Sequence, residues 1–162
     1  MALAGILILS SESIGGEVAK IFVPIAFAVA GMLAYLFSSA NPQHNIARQY
    51  HLLQGVGMIV FALTIGLGAN DLSDFLSYTT YFILFFGLME ILFAFMALNS
   101  SQKLNTGILI SRFIAGFTNL IGAVVLLATS ATSAINGLMI AGVLILLGGL
   151  AFVMFSFRIR RL

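Results

Sequence analysis

Five long apolar stretches dominate this chain: Ile21–Phe37, Leu52–Ala69, Thr79–Leu98, Gly107–Ala128 and Gly137–Phe157. As helices they are each roughly 25–33 Å long, which matches a hydrocarbon core of about 30 Å. The connections SSANPQHNIARQYH, NDLSDFLSY, NSSQKLNT and TSATSAIN are short and polar. None has room for a domain. The expectation is one all-α unit over 1–162, a polytopic membrane bundle of five transmembrane helices with antiparallel neighbours. Composition agrees. At 61% hydrophobic and 7% charged, the chain has too few charged side chains to cover a water-facing surface.

The N-terminal stretch Met1–Leu9 is apolar but too short to span. It has no basic region before it and no clear cleavage site, so a signal peptide fits poorly. It is expected to be a half-helix or an interfacial segment, packed against the bundle rather than floating free. Asn41 before Pro42 suggests an N-cap and first helical position. Ser73 suggests a start for the third helix, and Thr132 or Ser133 for the fifth. Pro24 is expected in the first turns of its helix, where a missing N–H costs little.

Charge sorts by side. Glu12, Glu17, Asp71 and Asp74 fall on one face, with Lys20; Arg48, Lys103, Arg158, Arg160 and Arg161 fall on the other, with no acid. Basic residues in short loops stay in the cytoplasm. The expected orientation therefore has the N-terminus outside and the C-terminus inside, in the cytoplasmic membrane of a prokaryote. Tyr35, Tyr50, Tyr78 and Tyr81 lie near span ends, where interfacial rings belong.

Three stretches share a heptapeptide: GMLAYLF at Gly31–Phe37, GLMEILF at Gly87–Phe93 and GLAFVMF at Gly149–Phe155. Each follows an apolar segment and a small polar loop, SSESIGGE, GANDLSD or TSATSAIN. The repeating unit is then a helical hairpin of roughly 60 residues, present two and a half times. On these residues the chain resembles the HdeD-like short-repeat membrane family, loosely over 1–157 and best over 54–157. The resemblance implies six spans as three hairpins and no assigned catalytic site; the family's namesake is linked to bacterial acid resistance. The chain departs in having only nine apolar residues where the first helix belongs, and in lacking the proline frequent in those turns.

Few residues could carry chemistry. Glu90 is the one acid inside a span, flanked at i−3 and i+4 by Gly87 and Ala94, on a small-residue stripe suited to facing another helix. Arg112 lies on the next span, on a stripe through Ala115, Gly116, Asn119, Gly122 and Ala123. The two stripes should meet, giving a Glu90–Arg112 pair with Asn119 deeper in the seam. Such a pair fixes helix register, serves a proton or ion relay, or makes a contact for a partner subunit. A relay normally needs protonatable groups through the whole depth, and the outer half offers only hydroxyls such as Thr64 and Thr80.

His44, Arg48 and His51 share one helix face and suit anionic lipid or a partner's acidic loop. A metal site would need further ligands beside them. Haem ligation would need opposed histidines at membrane depth. Alanines 26, 30 and 34 form a small-residue ridge, as do Ala62 and Gly66, for close helix approach. With no cysteine, thiolate and iron–sulfur chemistry are excluded. No nucleophile–base pair, phosphate loop or metal-ligand spacing occurs, and seven basic residues are too few for nucleic-acid binding.

No catalytic, cofactor-binding or metal residue is therefore expected. The functional expectation is a non-catalytic integral membrane protein whose partners are lipids and other membrane subunits, or further copies of itself. It would be an accessory subunit or an HdeD-like stress-associated protein. The alternative is a small transporter or channel using the Glu90–Arg112 seam.

Overall fold

A computed structural model describes residues 1–11, 16–40, 45–99, 106–129 and 134–159. They form six helices and no strand: α1 (Ala2–Leu9), α2 (Gly16–Ala40), α3 (Asn45–Gly68), α4 (Leu72–Leu98), α5 (Thr106–Thr129) and α6 (Ala134–Ile159). Four helices, α2 to α5, are long and apolar enough to cross a membrane. The helix α6 runs for 26 residues, with its apolar stretch among described residues at Asn136–Ala151.

The helices outrun the apolar stretches because polar flanks continue them. For α4 the N-cap is Asp71, not Ser73. Its carboxylate accepts from the Asp74 N–H at 2.8 Å, and Asp74 in turn accepts from the Asn70 N–H at 3.1 Å. The first bond fills a donor that the first turn leaves open, and the second ties the preceding residue to the helix start. Because α2 begins at Gly16, Pro24 lies two turns inside it, buried, rather than in its first turns. A Cβ at Gly66 would stand 3.5 Å from the Pro24 ring, so α2 and α3 meet there. The expected caps at Asn41 and at Thr132 or Ser133 lie outside the described residues.

The six helices close a ring, each touching the next and α6 touching α1. The half-helix α1 runs antiparallel along α6, with Leu9 against Gly142, Gly5 against Leu146 and Ala2 against Gly149. It thus packs on the bundle, as its sequence suggests. Inside the ring α4 also touches both α2 and α6. Consequently half of its apolar window is buried, against 28–33% for the other three spanning helices. Its Phe82 packs on Phe27 of α2 with the rings tilted and their centroids 4.3 Å apart, and meets Phe61 of α3 at 5.5 Å.

The tightest pairs are α2 with α3, α4 with α5, and α6 with α1. The expected hairpins α1–α2, α3–α4 and α5–α6 also touch, but less closely. The heptapeptide glycines explain this. A Cβ on Gly31 would lie 2.8 Å from the Gly55 carbonyl oxygen, and one on Gly55 2.8 Å from that of Gly31. Gly87 and Gly116 repeat the arrangement at 2.9 Å each way. Gly149 meets the backbone of Ala2. At these crossings helix backbone lies on helix backbone, and only a residue without a side chain allows the approach.

Outward faces are apolar on every long helix. Ile110, Ile114, Phe117, Ile121 and Val124 mark that face on α5, and Ile21, Ile25, Val29 and Leu33 on α2. The alanines 26 and 30 turn inward against the core, and Ala62 is buried, so these ridges serve internal packing. An apolar exterior around a packed core is what lipid as solvent requires.

Candidate functional site

Three polar side chains from three helices meet in the interior. Tyr50 comes from the first turns of α3, Glu90 from α4 and Arg112 from α5. They are 4%, 1% and 6% exposed. Arg112 Nη1 donates to both carboxylate oxygens of Glu90 at 2.7 Å and to the Tyr50 hydroxyl oxygen at 3.2 Å. The Tyr50 hydroxyl donates to Glu90 Oε1. One carboxylate thus takes a charged donor on both oxygens and a phenol on one.

Backbone geometry makes the meeting possible. Glu90 lies one turn past Gly87, and Arg112 one turn before Gly116. The Gly87–Gly116 crossing therefore holds the two helices close enough for a direct pair. The walls are aromatic. The guanidinium carbon of Arg112 lies 5.4 Å from the ring centroids of both Tyr50 and Phe93, and those two rings lie 4.6 Å apart. Such rings stabilise a desolvated guanidinium by their negative faces.

The expected Glu90–Arg112 seam is assembled in this way, with Asn119 buried in it beside Gly87. Beyond Asn119, Ala123 and Leu126 continue along the same face of α5, fully buried in the apolar core. The hydroxyls of Thr64 and Thr80 are occupied by backbone carbonyls of their own helices, at 2.9 and 2.8 Å.

Tyr50 is the member of the cluster that the sequence did not announce. It lies near a span end, as expected, but the bundle buries it, whereas Tyr35 and Tyr81 are half exposed. The available signal was its place within two turns of a span start, on the helix before the acid. Of the expected face of His44, Arg48 and His51, only the last two lie within the described residues, and His44 lies outside them. Arg48 is exposed, and its carbonyl accepts from Ser38 Oγ at 2.9 Å. His51 is half-buried, edge-on to Phe37 of α2 at 4.7 Å, with Nδ1 3.3 Å from Gln54 Oε1.

In chemical terms the centre is a neutralised, fully hydrogen-bonded cluster. It can hold three helices in register. Its carboxylate and phenol are engaged with each other and with Arg112. Comparison with known proteins adds no assignment: no family model, curated protein or solved structure matches the chain.

Proposed function

We propose that the chain is a non-catalytic integral membrane protein that acts by packing, as an accessory subunit of a larger membrane assembly. The observation that carries this reading is the buried, mutually hydrogen-bonded Tyr50–Glu90–Arg112 cluster inside an apolar exterior. The intramembrane charge serves the bundle itself, and the surface left over offers lipid-like contact to neighbouring helices. An HdeD-like stress-associated role is the closest alternative of the same kind. The matched glycine crossings at Gly31–Gly55 and Gly87–Gly116 support the repeat on which that resemblance rests. A transport path through the seam is less well supported, because buried Ala123 and Leu126 continue it as apolar core.

The proposed orientation puts the end bearing Arg48, Lys103, Arg158, Arg160 and Arg161 in the cytoplasm. The chain has no cysteine, so a single introduced one reports cleanly. Arg160→Cys should be labelled only after the membrane is opened; labelling in intact cells overturns the orientation. Extraction in mild detergent followed by native mass spectrometry tests the accessory role. A stable hetero-complex is expected, and a lone monomer or a pure homo-oligomer overturns it.

A further inference from the structure

The bundle is held unevenly. Within the pairs α2·α3 and α4·α5, backbone touches backbone at glycine crossings. Between the two pairs, along α3 and α4, side chains intermesh instead. Gly57 faces the Phe85 ring there, and Gly68 faces the Tyr78 ring. Over most of the depth this seam belongs to the main core, through Phe27, Phe61, Ile65 and Phe82. At the end where α3 starts and α4 finishes, it rests on a separate, small cluster of Tyr50, Met89 and Phe93, with Ile46 and Phe85 against it.

Tyr50 is the polar member of that small cluster, and its hydroxyl ties α3 to Glu90 on α4 and Arg112 on α5. We propose that the Tyr50 hydroxyl is a latch: it holds the α2·α3 pair against the α4·α5 pair at this end, and its release opens a cleft that exposes the Glu90 carboxylate. The main core acts as the hinge. Among the described residues, opening breaks the small aromatic cluster and the hydroxyl linkage, while both glycine crossings and the Glu90–Arg112 pair stay intact. Segments with few buried contacts are where local opening occurs at lowest cost. Glu90 is faced by Tyr50 from α3 and by Arg112 from α5.

Tyr50→Phe isolates the hydroxyl, since the ring keeps its packing on Phe93. In detergent micelles at one fixed pH, a water-soluble carbodiimide labels exposed carboxyls, with Glu17 and Asp71 as internal controls. Labelling of Glu90 is expected to rise about tenfold or more in Tyr50→Phe, the population change that loss of a hydrogen bond to a charged group gives. The controls should not change. Amide hydrogen exchange over residues 45–54 should quicken with it, while residues 61–86 stay protected. Unchanged Glu90 labelling overturns the latch. A rise in labelling without faster exchange overturns it too, because only the chemistry at Glu90 would have changed. If Tyr50→Phe does not fold, the wild-type protein decides: residues 45–54 must open before residues 61–86, and uniform exchange refutes the proposal.

Discussion

His51 and Arg112 occupy equivalent places in two helix pairs. Each lies four residues before the glycine that touches the preceding helix, Gly55 or Gly116. Each faces the phenylalanine that ends the heptapeptide: His51 meets Phe37 at 4.7 Å and Arg112 meets Phe93 at 5.4 Å. The fourth heptapeptide position holds Glu90 in one pair and Ala34 in the other. The ion pair is thus one elaboration of a repeated crossing, and the α2·α3 pair carries the same frame without the acid.

This equivalence is open to construction. Ala34→Glu alone should destabilise the bundle by leaving an acid half-buried without a strong cation. Adding His51→Arg should restore at least half of the loss. A double-mutant cycle on unfolding in detergent should return a coupling of about 0.5–3 kcal/mol. Additive effects would show that the two crossings are not equivalent.

Breaking the natural pair on one side should cost more than removing both charges. Glu90→Leu or Arg112→Met alone leaves an uncompensated buried charge, at a cost of about 3–5 kcal/mol. The double variant Glu90→Leu with Arg112→Met should recover much of that, because apolar groups of similar volume suit the site. Thermal unfolding of the three variants is the measurement. A double variant as unstable as the sum of the singles would argue for a role beyond charge balance.

Glycines divide by what lies opposite. Gly116→Ala puts a methyl group 2.9 Å from the Gly87 carbonyl oxygen. Helix backbone cannot yield as a side-chain tip can, so about 1–3 kcal/mol should be lost. Gly66→Ala meets Pro24 at 3.5 Å, an ordinary contact, and should be neutral or slightly stabilising, since alanine favours the helix. Equal melting temperatures for the two variants would count against the close crossing.

Asp71→Ala removes the side chain that accepts from the Asp74 N–H. About 1 kcal/mol of stability should go with it, and Asp71→Asn should keep most of that. Hydrogen exchange of the first turn of α4 localises the effect. An unchanged first turn would mean that Asp74 and Asn70 hold it without the cap.

Hydropathy alone determined that this chain is a set of apolar rods, because burying some twenty successive apolar residues in each leaves no water-soluble alternative. It also paired Glu90 with Arg112, since both lie on small-residue stripes of consecutive antiparallel helices, a local and periodic signal. Tertiary structure decided the rest. It turned Tyr50 inward to the charged centre, and it turned His51 toward Phe37. It also made each heptapeptide helix pair most closely with the helix after it, or with α1 to close the ring. Those choices rest on which face of a nearly uniform apolar helix meets which neighbour. Where almost every face is greasy, periodicity is weak, and the deciding term is how closely two backbones approach at a few glycines.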